Sequence, residues 1–488
     1  MVFSRSAGFV LEKLNDPRTT VLLVILNGIS AGIGFFIGTR TKFPDAIGYW
    51  NIGRGIAYGT FSSWYFLPFD APETLRTWGY PLFLFLCQQV SESFNFVFFV
   101  QFVIYATSVY LILRLIKVLD PALVYRNLFL ILLLPTVKIA FFAGQISAEI
   151  LCTFFVVLYV LVYYTLSPGW IRAVVLAVIA ASMFHQRPAF LLFPFFIFAF
   201  KLVFDRRGLR YECIALLIYL ALLIPFGAWN YRNHGVFRVT PLEGGAGVAH
   251  MGYWCFRLPP NYVENHYWGN ICADELTSPG LVSDEERSEA AEAFELEWTQ
   301  IETELAPLMD EEERFRLRAM KENNPGQFLT YSGEYTSRRE QLLWQRTLGH
   351  IQRDPWFYVK TRMFTFLRIW YTGISRENWQ RESGSIGRLT AIYPFVSTFV
   401  LILGGLLVSF YGLVSGRLDW RRFYVLYLMV GYCGLVHVLF VYQSRYTVPV
   451  HFLVLCLTSF TIGSFLPIGS KDRQEVHMTE IETDPTRA

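Results

Sequence analysis

The sequence predicts an all-α polytopic membrane protein, a bundle of about ten transmembrane helices with an inserted α-rich extracytoplasmic domain. Three observations predict it. Hydrophobic residues fill 53% of the 488 positions against 17% charged, and mean hydropathy is +0.36. The apolar residues gather in runs near the roughly 20 residues that span a bilayer as helix. The runs are continuous rather than alternating, and backbone groups in lipid must be satisfied within their own segment, which selects helices over strands.

In chain order the runs fall at about 21–38, 80–114, 127–142, 146–166, 171–184, 189–204, 213–229, 391–414, 424–442 and 447–465. The second is too long for one crossing, so its first half is expected along the surface before the chain turns inward. The first begins behind a basic tail (Arg5, Lys13, Arg18) and reads as an uncleaved helix. Basic loops at 117–126, 205–210 and 417–422 join that tail on one side, which the positive-inside rule makes cytoplasmic. The segment 356–371 is apolar yet carries Lys360, Arg362 and Arg368; it is expected to lie flat on the outer face, aromatics down and cations up.

The one long hydrophilic stretch, 230–355, falls on the outer side and carries 12 Lys/Arg against 21 Asp/Glu, so it is acidic although the whole chain is formally +3. Its middle, 283–321, reads as one or two helices opened by a Ser-Asp-Glu-Glu cap. The predicted organisation is a transmembrane module over 1–229 with an outer loop at 39–79, an extracytoplasmic domain at 230–355, an interfacial segment at 356–389, further spans at 390–466 and a cytoplasmic tail at 467–488. Scattered basic residues form no stripe, which argues against nucleic acid. Five cysteines lie in or beside apolar runs as small hydrophobes; Cys255 and Cys272 lie in the outer domain, where a disulfide is permitted. No N-x-Ser/Thr sequon, Walker loop, H-E-x-x-H or paired C-x-x-C occurs. The lack of sequons and the short loops favour a bacterial inner membrane over the ER.

Costly polar residues gather at helix ends on that outer side. Asp45 follows the first run; Gln145 and Glu149 sit before the fourth; His185, Gln186 and Arg187 between the fifth and sixth; Asn230, Arg232 and Asn233 after the seventh; Gln443, Arg445 and Tyr446 before the last; and Lys138 one turn below the rim. A carboxylate at such a rim costs stability unless it has a task. It can take a proton from an acceptor hydroxyl, while cations at the lipid–water boundary hold a phosphate leaving group. Two carboxylates can also hold Mg²⁺ or Mn²⁺, and the sequence leaves both arrangements open. Each residue has an ordinary role as well: Asp45 as a cap of the helix beginning near Ala46, Glu149 as a complement to a helix dipole, Arg187, Arg445 and Lys138 as snorkelling anchors, His185 and His250 as interfacial polar groups.

The order of motifs resembles the GT-C glycosyltransferases, in the branch with dolichyl-phosphate-mannose protein mannosyltransferases and the bacterial aminoarabinose transferase of lipid A. The matching residues are Asp45, Tyr49, the 54–59 stretch beginning at Arg54, Tyr80-Pro81-Leu82, Ser147-Ala148-Glu149, Arg187-Pro188, Trp229-Asn230-Tyr231-Arg232-Asn233, Gly244, Gly245 and Gly247, and Arg445-Tyr446 with Pro449. They cover about two thirds of the chain. The resemblance implies a GT-C-like bundle that moves a sugar from a polyprenyl-phosphate donor to a glycan, lipid or protein acceptor. It implies Asp45 as general base and Glu149 as a second acid near the donor. By position, Lys138, Arg187 and Arg445 are expected to contact phosphate, with Tyr49, Arg54, Tyr80, His185, Arg232, Asn233, His250 and Tyr446 lining the substrate. A single displacement inverts the anomeric carbon. Aminoarabinose transferases favour Lys-Pro-Pro before the second span; Arg76-Thr77-Trp78-Gly79 stands here, against a lipid A acceptor. The rival expectations are an O-antigen ligase or polymerase, relying on Arg and His, and a transporter or lipid flippase, with charges near the midplane and related halves.

Overall fold

The computed structural model describes residues 11–40, 45–259, 262, 281–324, 327–371, 393, 396–440 and 443–466, and among them every regular element is helical. The membrane-like part comprises α1 (Pro17–Thr39), α2 (Ala46–Ala57), α3 (Gly79–Gln88), α4 (Phe94–Leu119), α5 (Leu123–Leu133), α6 (Val137–Ala143), α7 (Glu149–Thr165), α8 (Trp170–Gln186), α9 (Phe193–Phe204) and α10 (Leu209–His234). The polar domain adds α11 (Gly245–Trp254), α12 (Asp284–Leu305), α13 (Glu311–Asn323) and α14 (Gly333–Arg353); α15 (Pro355–Arg368), α16 (Gly404–Val414), α17 (Trp420–Val438) and α18 (His451–Ser464) follow.

Four segments, Pro17–Thr39, Phe94–Leu119, Leu209–His234 and Arg445–Ser464, are long and apolar enough to cross a membrane, and α5 with α6 makes a fifth if the bent pair is one span. The other apolar runs form shorter helices, including Glu149–Thr165, Trp170–Gln186 and Pro188–Phe204, so the expected ten bilayer-length spans are not matched one for one. The long 80–114 run does divide: α3 ends at Gln88, and Ser93 caps a fresh helix by accepting from Asn95 N at 3.2 Å. The expected third span is instead broken, with α5 and α6 bent by 71°. Pro135 stands between them, and a residue without a backbone N–H cannot continue the helical ladder.

That bend is held from outside by glycine. At Gly38 a Cβ would lie 2.0 Å from Phe141 O, and at Gly144 it would lie 2.4 Å from Phe35 O. The backbones of α1 and α6 therefore touch, which fixes the turn leading to Glu149. Inside the turn, Gln101 Nε2 donates to Ala143 O (3.1 Å) and Gln145 O (2.7 Å), while its Oε1 accepts from Tyr80 OH (2.9 Å).

The polar domain has its own core of Phe294, Trp298, Ile301, Leu342, Leu343, Tyr253 and Trp254. The expected helices at 283–321 are α12 and α13, and Ser283 with Glu286 forms the expected capping box. The domain clamps the loop after α2: Leu317 and Met320 pack on Trp64 and Ala71, and Gln327 bonds Ser63 O (3.2 Å) and Asn51 (3.2 Å).

In α15 the expectation of cations up holds for Lys360, which is exposed, but not for the two arginines. Arg362 and Arg368 are buried, whereas Trp356 and Met363 are exposed. Arg362 Nη1 donates to Val438 O (3.0 Å) and Phe440 O (2.9 Å), and Arg368 Nη1 to Tyr371 O (2.6 Å). Unfilled carbonyls at the end of α17 outbid solvent for the guanidinium. Cys255 is buried beside Gly252 O; its expected partner Cys272, like the tail beyond 466, lies outside the described residues.

Gly38→Val is expected to lower the thermal midpoint of the detergent-purified protein sharply, by about 2 kcal/mol or more of overpacking. Gly28→Ala, whose Cβ meets nothing within 4 Å, is expected to leave it unchanged.

Candidate functional site

The site starts at Asp45. It stands at the N-cap of α2 but makes no side-chain cap bond, because its own backbone is already helical (φ −77°, ψ −9°). Its carboxylate turns to the far end of the chain instead. Arg445 Nη1 donates to Asp45 Oδ2 at 3.0 Å, across 400 positions of sequence. Arg76 Nη2 lies 3.7 Å from Asp45 Oδ1, and Arg76 Nη1 is 3.4 Å from Glu73 Oε1. Arg76 also lies 4.8 Å over the Tyr49 ring. This seat requires Gly48, where a Cβ would fall 2.8 Å from Arg76 Nη2. Burial pushes the Tyr49 phenol up to about 12, with Arg76 opposing and Asp45 assisting, so the phenol stays neutral at physiological pH.

The second carboxylate, Glu149, is the first residue of α7 and is buried. The helix N-terminus favours its charge, and Arg187 Nη2 bonds its Oε1 directly. Tyr446 joins the two pairs: the Arg187 guanidinium lies 5.2 Å and that of Arg445 5.8 Å from its ring centre, and His437 stacks on it at 4.8 Å. Arg445 is within electrostatic range of both Asp45 and Glu149. Lys138, from α6, is within range of Glu149 and of Arg368. Three carboxylates, Asp45, Glu149 and Glu73, thus share one end of the bundle with Arg76, Arg187, Arg445, Arg368 and Lys138, so basic groups outnumber acidic ones.

Seven of the expected residues converge here: Asp45, Tyr49, Lys138, Glu149, Arg187, Arg445 and Tyr446. Tyr80 borders the cluster, edge-on to Tyr49 at 5.0 Å, but its hydroxyl is spent on Gln101, so it positions rather than lines. The remaining expectations are corrected. Arg54 pairs with exposed Glu92 (2.9 Å) and not with Asp45. His185 sits in an aromatic nest with Trp78, Phe184 and Phe226; its contribution is its carbonyl, which accepts from Thr77 Oγ1 at 2.7 Å beside Arg76. Arg232 and Asn233 are exposed, and Asn233 bonds back to Trp229 O. The turn-facing member of that motif is Asn230, which holds Arg238 O (2.5 Å) and Thr240 O (3.0 Å). His250 belongs to the polar domain and bonds Glu297 at 2.5 Å.

Sequence reasoning missed Arg76 and Arg368. Arg76 had a signal, being a cation three residues before the helix that begins at Gly79, on the same rim as Asp45. Arg368 had none, because helical periodicity cannot say which face of α15 is buried.

Chemically, the arrangement suits an anion. Arg76 Nη2, Arg187 Nε and Ser147 Oγ are buried with no hydrogen-bond partner among the described residues. Planar guanidinium forks match phosphate oxygens. The expected metal alternative, Mg²⁺ or Mn²⁺ on Asp45 and Glu149, is less suited: each carboxylate is already held by its own arginine. Among the described residues, the group with metal-ligand geometry is His250, Glu297 and His350. No family model matches the chain, and no curated protein or solved structure matches it either.

A double-mutant cycle on Asp45→Asn and Arg445→Gln is expected to show about 1 kcal/mol or more of coupling in thermal unfolding, while Arg54→Ala changes stability by at most about 0.5 kcal/mol. Additivity of the two site variants contradicts the pairing.

Proposed function

We propose that the chain is an integral membrane glycosyltransferase that moves a sugar from a polyprenyl-phosphate donor to a hydroxyl of a glycan, lipid or protein acceptor on the extracytoplasmic face. The carrying observation is the Asp45–Arg445 pair beside the Glu149–Arg187 pair, set in an excess of guanidinium groups. A carboxylate able to act as base and a set of cations able to hold phosphate lie in one side-chain cluster. Lys and Arg in the other loops support the extracytoplasmic assignment, and the lack of sequons with the short loops supports a bacterial inner membrane.

In the resting arrangement Asp45 is held by Arg445 and faced by Arg76, so its carboxylate is already engaged on both oxygens. A donor phosphate offers those guanidiniums a richer anion. As they move to it, Asp45 is released to take the acceptor hydroxyl proton. The acceptor oxygen bonds the anomeric carbon, the C–O bond to phosphate breaks with its electron pair going to the phosphate, and Arg187, Arg445 and Lys138 stabilise the charge gained. Displacement from one face inverts the carbon. Donor binding thereby frees the carboxylate, which without donor stays engaged by the two guanidiniums.

An apolar groove supports a lipid-linked donor. It has a volume of about 330 Å³ and is lined by Phe35, Thr39, Asn95, Phe98, Phe99 and Phe102. Phe35 and Thr39 in its wall back directly onto Gly144, where a Cβ would lie 2.4 Å from Phe35 O and 2.6 Å from Thr39 N, so the groove adjoins the turn that leads to Glu149.

The test is sugar transfer in proteoliposomes loaded with polyprenyl-phosphate sugars from native membranes, read by mass spectrometry of lipid and acceptor. Wild type is expected to consume one donor. Asp45→Asn is expected to lose about a hundredfold or more in kcat while retaining donor binding, and Arg445→Ala to weaken donor binding. Undiminished transfer by Asp45→Asn, or solute transport with no sugar moved, overturns the assignment.

A further inference from the structure

The polar domain brings together three ligating groups that the proposed transfer reaction does not use. His250 comes from α11, Glu297 from α12 and His350 from α14. Their ligand atoms all lie within 4.8 Å of one another. His250 Nε2 is 2.5 Å from Glu297 Oε1, and His350 Nε2 is 2.7 Å from Glu297 Oε2. His250 is fully buried and the other two side chains are nearly so. The walls are aromatic: Tyr253 stacks on His350 at 4.6 Å, and Trp254, Phe294 and Trp298 surround His250.

We propose that His250, Glu297 and His350 form a transition-metal site of the zinc class that cross-links three helices of the polar domain. Two imidazole nitrogens and one carboxylate are a zinc-type donor set, with a fourth position left for water, and they are a poor set for Mg²⁺ or Ca²⁺. Tetrahedral zinc at its usual bond lengths separates its ligand atoms by roughly 3.3 Å, so the two direct contacts, now 2.5 and 2.7 Å, must open to admit the ion. A second observation points the same way. His250 Nε2 also lies 3.1 Å from the Trp254 Nε1 donor. A proton on that nitrogen satisfies Glu297 but opposes the tryptophan N–H; a lone pair satisfies the tryptophan but opposes the carboxylate. A cation between Nε2 and the carboxylate takes the lone pair, and the tryptophan N–H, 3.4 Å from Glu297 Oε1, becomes an outer-shell donor to the ligating carboxylate.

The bound ion acts as a staple. α11 is entered through Glu243, whose N–H donates to Thr74 O (3.0 Å) and whose carboxylate accepts from Thr74 Oγ1 (3.1 Å). Thr74 lies two residues from Arg76, which faces Asp45. Fixing α11 therefore steadies the loop that presents a site cation, and this holds whichever reaction the Asp45 site performs.

The experiment is elemental analysis of full-length, tag-free protein after equilibration with zinc chloride and buffer exchange, with the thermal midpoint measured beside it. Wild type and Asp45→Asn are expected to retain one zinc per chain. Glu297→Gln and His350→Ala are expected to retain less than about a tenth of that, and Trp254→Phe to bind about tenfold more weakly. Zinc is expected to raise the midpoint of wild type but not of Glu297→Gln. Because His350→Ala can fail to fold, the near-isosteric Glu297→Gln decides, with cobalt as a second probe: visible ligand-field bands are expected in wild type and absent in that variant. Wild type that keeps no zinc and gives no cobalt bands is a metal-free hydrogen-bonded triad, and the proposal is then overturned. Equal retention by Glu297→Gln overturns it too.

Discussion

The contact between Asp45 and Arg445 is the constraint on which the candidate site depends. It joins the turn after the first long helix to the start of the last one, 400 residues later. Nearly everything around it serves to make that meeting possible. α1 is drawn against α6 through Gly38 and Gly144, the bent α5–α6 pair delivers Lys138 and the Glu149 turn, and α18 follows directly on the short helical turn carrying Arg445 and Tyr446. A charge pair removed from water has to be repaid by good geometry. Here it is repaid by a shared aromatic plate, Tyr446, and by hydrogen bonds such as that from Arg445 Nε to Gln443 Oε1 at 2.7 Å.

The two carboxylates are not equivalent. Glu149 is buried, at the start of a helix whose dipole favours its charge, and directly bonded by Arg187. Asp45 is more open and is shared between two guanidiniums at 3.0 and 3.7 Å. The proposed reaction uses that difference: the more accessible carboxylate, Asp45, is the one an acceptor can reach, and the buried Glu149 holds Arg187 in place.

The sequence made the class of the molecule legible, because bilayer length and continuous hydropathy are local properties. Asp45, Glu149, Arg187 and Arg445 stood out for the same reason, since each interrupts or bounds an apolar run, and the structure brings the four together. Span count was less so, since the bend at Pro135 and the shortness of α7 to α9 depend on packing rather than composition. Arg54 and Arg232 misled because a cation near a helix end carries no mark of which way it points. Exposed Glu92 captured one, and the other lies on an exposed face. His250 misled for a further reason. Its partners, Glu297 and His350, lie 47 and 100 positions away, and no sequence spacing announces a site assembled from three separate helices.

The central claim is that positions 45 and 445 meet on one face of the bilayer. Paired cysteines, Asp45→Cys with Arg445→Cys, tested with a short thiol cross-linker in intact membranes and mapped by peptide mass spectrometry, address it most directly. The account predicts a 45–445 cross-link that added polyprenyl phosphate suppresses, with both positions reached by a membrane-impermeant reagent from the same side. Labelling of the two positions from opposite sides, or no cross-link at any reagent concentration, would contradict it.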